Sequence, residues 1–387
     1  MHVTKGEEMK KIEFFKHNIT QKDIDNVNGV LKSIFLSTGE TVAEFEEKFA
    51  KYLGCEHVVG VTSCTAALHL SLLNYGIGPG DEVITTPMTF IATATAIIFT
   101  GAKPVFVDVE PETGNLDANL IEKAITKKTK AILPVHLYGQ MVDMKKMREI
   151  ADRHHLYLIE DAAHTIEAAR DGIRVGQLGD IACFSFYPTK SITSGEGGAL
   201  SVHDAGTAER LKMLRNHGMS KGASERYTKR YEHWDMELLG WKYNMFNIQA
   251  ALLLNQLENI DSYWQRRDEI SRRYENAFRN LPDVTCLKIM PNSKSARLIF
   301  TILVPPPRRD EFLLRLQEKD IGVAVNFRAI HLLKYFSSTY GYHKGAFPVA
   351  ERIGDSTLTL PLYPRLTDDE VEYIINTVRE IAGAKTE

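Results

Sequence analysis

Two charged residues stand where a sheet could bring them together, and their types suit proton chemistry on a flat ring. Asp161 follows the apolar run 156–159, and Lys190 precedes the turn Gly195-Glu-Gly-Gly198. A part-buried carboxylate requires a partner, and a pyridinium N–H would be one, which would make the ring an electron sink. Small residues and glycines near Lys190 would let a ligand approach the backbone. On local evidence alone, Asp161 could equally cap a turn, and Lys190 could be a solvated surface lysine.

Hydroxyl groups follow two apolar strand patterns, where an anion could bind. The segment 62–65 joins a strand pattern to a helix pattern, and a helix N-terminus offers free N–H groups and a positive dipole end. Ser63 and Thr65 could add donors, and Ser185 ends another apolar run. Phe90 stands at a helix start and could stack on a flat ring. The ordinary interpretations are an N-cap for the hydroxyls and a core position for the phenylalanine.

A parallel sheet is the element that would position these residues. From about residue 57 to 202, short β-branched runs alternate with helical patterns, which is typical of a mainly parallel sheet with helices on both faces. Ligands of such sheets bind outside the carboxyl ends of the strands. The predicted strands are 57–61, 81–85, 104–108, 131–135, 156–160 and 199–202, and the predicted helices are 65–73, 91–99, 116–125 and 144–154.

The pattern changes near residue 256. We predict a large domain over 9–255 and a smaller C-terminal α+β domain over 256–387. Residues 1–8 precede a second possible start at Met9, and we expect them to be an extension or the remainder of an expression tag. The charged stretch 220–234 is expected to be a functional or mobile loop. In the C-terminal domain we predict helices over 256–281, 310–319 and 368–382, and extended segments over 297–304 and 322–327.

Bulk composition narrows the class of protein. The 387 residues suit a large domain plus a small one, and 44% hydrophobic with 25% charged residues is ordinary for a globular protein. The net charge of −3 shows no basic excess for nucleic acid, and no apolar run approaches the length of a membrane span. The four cysteines lack CxxC or metal-ligand spacing, so we expect reduced thiols, no metal site and a cytoplasmic protein.

Taken together, these segments resemble the DegT–StrS family of sugar-nucleotide aminotransferases, which have the pyridoxal-phosphate transferase fold type I. The most specific parts are Glu160-Asp-Ala-Ala-His164 and the block from Phe184-Ser-Phe through Lys190 to Gly195-Glu-Gly-Gly198. The resemblance runs from Ser37-Thr-Gly39 to the final helix. A closer similarity to enzymes that aminate a UDP-linked 4-keto sugar, the arabinose type included, rests on Gly240-Trp-Lys-Tyr-Asn244, Asn326-Phe-Arg-Ala-Ile-His331 and Lys334-Tyr335.

The resemblance implies a role for each matching residue at the cofactor. Lys190 corresponds to the lysine that holds pyridoxal 5′-phosphate as an aldimine and later acts as general base and acid. Asp161 corresponds to the carboxylate on the pyridine nitrogen, and Phe90 to the aromatic stacked on the ring. His164 corresponds to a position near the phenolic oxygen, where some members carry Gln. The implied phosphate contacts within one chain are the backbone N–H of Cys64 and the residues Thr65 and Ser185. A further implied phosphate contact comes from Asn244 of the partner subunit.

The resemblance also implies substrates and an assembly. The family often has Gly where Cys64 stands, and a backbone contact would survive that difference. Substrate contacts are expected at Ser37, Thr38, Lys242, His331 and Tyr335. The implied reaction passes an amino group from an amino acid, L-glutamate being expected, to a nucleotide-linked keto-sugar by a ping-pong mechanism. A homodimer with shared active sites is implied as well.

Three alternatives stay open. The sugar could be a dTDP- or GDP-linked 3- or 4-keto-6-deoxyhexose, because pockets discriminate weakly between such similar groups. The cofactor could serve another reaction, such as sugar dehydration or aromatic amino-acid synthesis, although the sugar dehydratases of this family carry His where Lys190 stands. A non-enzymatic sensor is the third alternative, but a sensor would not need both Lys190 and Asp161.

Overall fold

A seven-stranded sheet forms the centre of the computed structural model, which describes residues 11–221 and 233–383. The spatial order is β1-β9-β8-β5-β4-β2-β3. Pairings from β8 across to β3 are parallel, and β9 alone runs antiparallel to its neighbours β1 and β8. The predicted mainly parallel sheet of fold type I is confirmed. The strands up to β9 are β1 (His57–Val61), β2 (Glu82–Thr85), β3 (Lys103–Phe106), β4 (Thr129–Ile132), β5 (Tyr157–Asp161), β6 (Ala169–Arg170), β7 (Ile173–Arg174), β8 (Ile181–Ser185) and β9 (Gly198–Val202).

Helices cover both faces of this sheet, as predicted. One apolar cluster joins the sheet to α2, α5, α6 and α8, and a second joins its other face to α3, α4 and α7. Because both faces are covered, the strands are apolar at most of their central positions. The helices are α1 (Gln21–Leu31), α2 (Glu40–Leu53), α3 (Cys64–Asn74), α4 (Ile91–Phe99), α5 (Ala118–Ala124), α6 (Met144–Arg153), α7 (Ala205–Leu214) and α8 (Asn247–Glu258).

The C-terminal residues form a smaller α+β unit around its own apolar cluster. Its antiparallel sheet has the order β10-β12-β13, while β11 pairs with β6. The N-terminal stretch joins this unit, because Ile12 pairs with Ile321. The elements are α9 (Ile260–Phe278), β10 (Thr285–Cys286), β11 (Ser293–Lys294), β12 (Phe300–Leu303), α10 (Pro306–Glu318), α11 (Lys334–Tyr340), α12 (Pro348–Ser356), β13 (Thr357–Leu360) and α13 (Asp368–Ile381).

The junction between the two units differs from the expected single helix over 256–281. The chain forms α8 and α9 instead, with Asn259 between them. Residue 256 lies in the last turn of α8, so the domain division there stays a prediction. The segment 322–327 forms no regular strand and contributes only a bridge between Ala324 and Thr359.

Two regions singled out in the sequence fall largely outside the described residues. These are the segment 1–8 and, apart from its ends, the stretch 220–234. Within 11–221 and 233–383, no helix combines the length and apolar character needed to cross a membrane.

Candidate active site

The carboxyl ends of β1, β2, β5 and β8 meet at one edge of the sheet, where β9 begins. Gly198 opens β9 opposite Val61, the last residue of β1. A Cβ atom on Gly198 would lie 2.6 Å from the backbone nitrogen of Cys64 and 2.4 Å from the carbonyl carbon of Ser63. Only glycine therefore lets β9 start against the N-terminus of α3.

The N-terminus of α3 supplies free backbone donors at this edge. Ser63 caps the helix, because its Oγ accepts a hydrogen bond of 3.1 Å from the N–H of Ala66. The N–H groups of Cys64 and Thr65 belong to the first turn, where helices leave donors without an intrahelical partner. The Cys64 thiol donates to the carbonyl of Cys183 at 3.5 Å, and the phosphate contact expected of the Cys64 backbone N–H stays a prediction.

Asp161 is a buried carboxylate that lacks a cationic partner within ion-pair distance among the described residues. Its Oδ2 accepts from the hydroxyl of Thr93 at 2.7 Å, and its Oδ1 accepts from the N–H of Ala163 at 3.1 Å. Burial raises the pKa of the Asp161 carboxyl, and these two hydrogen bonds oppose the shift. An uncompensated buried carboxylate is costly, so this side chain suits a cationic ligand group.

Thr93 belongs to a short relay that sequence reasoning missed. The hydroxyl of Thr93 donates to Asp161, so the 2.7 Å contact between the hydroxyls of Thr89 and Thr93 has Thr89 as the donor. Both threonines are buried at the start of α4. The two threonines are four residues apart in the sequence, and this spacing, which places side chains on one face of a helix, could have indicated the relay.

Lys190 lies close enough to Asp161, Cys64 and His164 to interact electrostatically with all three, and we call these four residues the Lys190 cluster. Burial lowers the pKa of Lys190 from 10.5 to about 8, against the opposing effects of Cys64 and Asp161. A lysine of this pKa can serve as base or acid near neutral pH. Burial also raises the pKa of the Cys64 thiol well above its ordinary value, so this cysteine stays a neutral thiol.

Aromatic rings flank the Lys190 cluster. Phe90 is 57% exposed, and its ring centroid lies 6.0 Å from that of Phe327. The ring of His164 is nearly parallel to Phe327, with centroids 5.8 Å apart. Phe327 is a second residue that sequence reasoning missed: it lies in the segment that carried the closer family similarity, but no role was assigned to it.

His164 is held as a neutral ring. Burial lowers its pKa well below the ordinary value, and the charge of Lys190 adds to this shift. The N–H of Tyr138 donates to Nδ1 at 3.3 Å, so we assign the ring proton to Nε2. His164 can therefore donate a hydrogen bond from Nε2.

Ser185 closes β8 beside the loop that carries Lys190. The residue is buried, and its Oγ accepts from the N–H of Tyr187 at 3.4 Å. The hydroxyl proton remains available for another acceptor. Ser185, Thr65 and the first turn of α3 thus lie after strands of the same sheet edge, as expected for phosphate contacts.

A second group lies along the outer side of β1. Asn244 is buried and pairs with Val61, and its Nδ2 donates to Thr38 Oγ1 at 2.7 Å. Thr38 in turn donates to the carbonyl of Met245 at 2.5 Å. Ser37 and Lys242 are exposed nearby in the chain. Within one protomer the Asn244 amide is thus engaged with Thr38, and no hydrogen bond joins these residues to the Lys190 cluster.

The two substrate residues expected near the C-terminal unit have different surroundings. His331 is fully buried, and its Nε2 donates to Glu351 Oε1 at 3.0 Å. The ring of His331 offers no exposed atom in the single chain, and the substrate contact expected of this residue stays a prediction. Tyr335 is 53% exposed on α11 and remains accessible to a ligand.

The sequence matches a known protein family and several known proteins over nearly its whole length. The model of the DegT/DnrJ/EryC1/StrS aminotransferase family matches residues 17–379. The spore coat polysaccharide biosynthesis protein SpsC of Bacillus subtilis is 41% identical over 94% of this chain and 95% of its own. The UDP-4-amino-4-deoxy-L-arabinose–oxoglutarate aminotransferase of Shewanella sediminis is 36% identical over 95% and 97%. The dTDP-3-amino-3,4,6-trideoxy-alpha-D-glucose transaminase of Micromonospora megalomicea is 37% identical over 92% and 94%.

Solved structures agree over almost the entire chain. S. venezuelae DesV superposes with a TM-score of 0.90 at 35% identity, covering 98% of this chain and 100% of that one. The PLP form of the sugar aminotransferase Spr1654 from Streptococcus pneumoniae superposes with a TM-score of 0.90 at 29% identity, covering 96% and 99%.

Proposed function

The chain belongs to the DegT/DnrJ/EryC1/StrS aminotransferase family, and we propose that it transfers the amino group of L-glutamate to the C4 ketone of a UDP-linked sugar. The family match confirms the predicted sugar aminotransferase acting on nucleotide sugars. The choice of UDP and of C4 is supported by the Shewanella relative and by the segments 240–244 and 326–331. A dTDP-linked sugar is the main alternative, because the Micromonospora relative is equally similar.

Pyridoxal 5′-phosphate is the cofactor, as predicted from the sequence. The residues present fit this group. Asp161 is a buried carboxylate in need of a cation, which a protonated pyridine nitrogen supplies. Phe90 presents an exposed ring for stacking, and the first turn of α3 at Cys64 and Thr65 suits a phosphate. When bound, the cofactor supplies a cationic ring that stabilises negative charge on the carbon next to the amino group.

The protein's own residues would then orient groups and move protons. Lys190 would hold the cofactor covalently and, once released, would take up and give back a proton at Nζ as general base and acid. Its lowered pKa keeps a useful fraction of neutral amine near neutral pH. Asp161 would keep the ring nitrogen protonated, and the hydroxyl of Thr93 orients that carboxylate. His164 would donate from Nε2 to the phenolic oxygen.

The observation that carries this proposal is the meeting of Lys190, of lowered pKa, with the buried carboxylate of Asp161 at one sheet edge. Purified protein loaded with the cofactor should absorb visible light, and glutamate should bleach the band. Lys190→Ala should abolish both the lysine-bound band and turnover. Lys212→Ala is the matched control, because Lys212 is an exposed lysine on α7 that pairs with Glu209. Normal turnover in Lys190→Ala would refute the assignment.

A panel of nucleotide keto-sugars identifies the acceptor. Assays with glutamate and UDP-, dTDP- or GDP-linked 3- and 4-keto sugars should give the highest kcat/KM for a UDP-linked 4-keto sugar. A preference for a dTDP- or GDP-linked 6-deoxyhexose would overturn the finer assignment while leaving the aminotransferase activity intact. We further propose a cytoplasmic site of action, which is supported by the free state of all four cysteines.

We also propose a homodimer in which Asn244 of the partner subunit reaches each cofactor phosphate. In the single chain, exposed apolar side chains lie beside the Lys190 cluster and beside the hydrogen-bonded pair of Thr38 and Asn244. Such exposed apolar side chains favour contact with a second protein surface at both places. Near the Lys190 cluster, Phe90 is 57% exposed and Tyr187 is 47% exposed. Leu36 and Phe246 lie within two residues of Thr38 and Asn244 in the chain, and they are 45% and 38% exposed.

Mixing two inactive variants tests the shared site. If each site takes Lys190 from one chain and Asn244 from the other, a mixed dimer of Lys190→Ala and Asn244→Ala contains one intact site and regains activity. If Asn244 serves its own chain, every site in the mixture carries one defect and activity stays absent. Thr38→Val is the control, because it breaks the hydrogen bond that Asn244 makes within its own chain.

A further inference from the structure

The loop that carries Lys190 connects β8 to β9, and two buried contacts from outside the sheet hold it. Its second half bonds back to its first residue: Thr193 Oγ1 donates to the carbonyl of Phe186 at 2.9 Å, and the N–H of Ser194 donates to the same carbonyl at 3.0 Å. Among the described residues, Lys190 has only a turn bond, from its N–H to the carbonyl of Tyr187 at 2.9 Å. The residues that follow Lys190 are held by side chains from α8, from α9 and from the segment after β5.

Gln256 makes the first contact, from the last turn of α8. Its Oε1 accepts from the N–H of Thr193 at 3.0 Å, and its Nε2 donates to the carbonyl of Thr193 at 2.8 Å. One side-chain amide thus satisfies both main-chain groups of one loop residue. Gln256 is fully buried, so no water competes for these bonds.

Glu167 and Arg267 make the second contact, at the residue next to the lysine. Ser191 Oγ donates to Glu167 Oε2 at 3.1 Å, and Glu167 Oε1 accepts from Arg267 at 2.6 Å. All three side chains are at least nine-tenths buried. Arg267 lies on α9 and also donates to the carbonyls of Ala296 and Arg297 at 3.3 and 2.9 Å. Arg267 also donates to Ser191 Oγ at 3.3 Å, so the C-terminal unit is bonded directly to the loop residue beside Lys190.

We propose that Gln256 and the Glu167–Arg267 pair are positioning residues for Lys190, acting through Thr193 and Ser191. This inference rests on the proposed role of Lys190 as the lysine that carries the cofactor. The two contacts hold Ser191 and Thr193, shortly after Lys190, and thereby set where the lysine stem leaves the loop. They thereby set the distance from Nζ to the atoms between which it moves a proton.

The contacts act through geometry rather than through charge. The carboxylate of Glu167 is neutralised by Arg267 at 2.6 Å, and the charge that acts on Lys190 comes from Asp161. Loss of a contact should therefore slow proton transfer more than it weakens substrate binding. A displacement of about 1 Å in a reacting group costs up to roughly a hundredfold in rate.

Ser191→Ala is the primary test, because it removes the link to the loop while leaving the Glu167–Arg267 pair intact. We expect kcat to fall about tenfold to a hundredfold with both KM values within about twofold of the wild type. The pH midpoint of the visible band of the lysine-bound cofactor should move as well. Ser191→Thr keeps the hydroxyl and should restore kcat. Ser271→Ala is the matched control, since Ser271 is a fully buried serine on α9 whose Oγ has no partner.

Gln256→Met tests the same loop from α8 and should reproduce the loss of kcat, so it also covers the case in which Ser191→Ala fails to fold. Wild-type kcat and an unchanged pH midpoint in whichever folded variant is measured would overturn the proposal. A fall in Tm without a fall in kcat per folded enzyme would overturn it too. Failure of the proposed function looks different: borohydride reduction of the loaded wild type, followed by peptide mass spectrometry, would then leave Lys190 unlabelled.

Discussion

The lowered pKa of Lys190 predicts how fast the protein without cofactor captures pyridoxal 5′-phosphate at each pH. Capture requires the neutral amine, and burial moves the pKa from 10.5 to about 8. At pH about 8, roughly half of Lys190 is neutral, whereas a lysine with a pKa of 10.5 would be neutral in about 0.3% of molecules. The expected capture rate at that pH is therefore about 150-fold higher than for an ordinary lysine of equal reactivity.

Rapid mixing with the cofactor, followed by the visible absorbance of the product, measures this rate. Below pH about 8 the rate should rise about tenfold per pH unit, and above it the rate should level off. A lysine derivative blocked at its α-amino group, run in the same buffers, corrects for ionisation of the cofactor itself. A protein rate that keeps rising to about pH 10, in parallel with the blocked lysine, would refute the burial argument.

The same experiment can test the direction in which the Asp161 carboxylate shifts the pKa of Lys190. The Asp161 carboxylate stabilises the ammonium form and so raises the pKa of Lys190 against the larger effect of burial. Asp161→Asn removes that charge, and the midpoint of capture should then move to lower pH. An upward shift, or no shift, would show that the two groups do not interact as the structure indicates.

Four further substitutions test the site and the core. Thr93→Val removes a hydrogen bond to a carboxylate, worth about 1.5–3 kcal/mol, so it should raise the pKa of Asp161 further and lower kcat about tenfold or more. Thr89→Val, one bond further away, should have a smaller effect, and equal losses would contradict the relay. Phe90→Ala should weaken cofactor binding about twofold to tenfold in equilibrium dialysis and leave Tm unchanged, because the side chain is 57% exposed. Phe49→Ala should lower the free energy of unfolding by about 3–5 kcal/mol in denaturant titration, since Phe49 is fully buried among other rings, and a loss below about 1 kcal/mol would contradict that packing.

Much of the sheet and its helices could be predicted from local pattern. Strand β1 and helix α4 have the predicted bounds, and most of their neighbours lie within a few residues of prediction. The pattern succeeds here because each apolar strand lies between covered faces and each connecting helix has one core-facing side. The break at Asn259 was not predictable in this way, because helical sequence continues on both sides and the two helices pack in different units.

The order of chemical groups along the chain, together with the family resemblance, was also sufficient to predict roles for Lys190, Asp161 and the hydroxyl groups after the strands, since parallel strands bring their carboxyl ends to one edge. What only the tertiary structure decided is how those groups are tuned and held. The pKa of Lys190, the burial of His331 and the bond from Arg267 to Glu167 all depend on residues distant in sequence; the last of these spans 100 positions. Hydrophobic periodicity describes the environment of a residue within its own element, whereas desolvation and hydrogen-bond partners are set by the elements that pack against it.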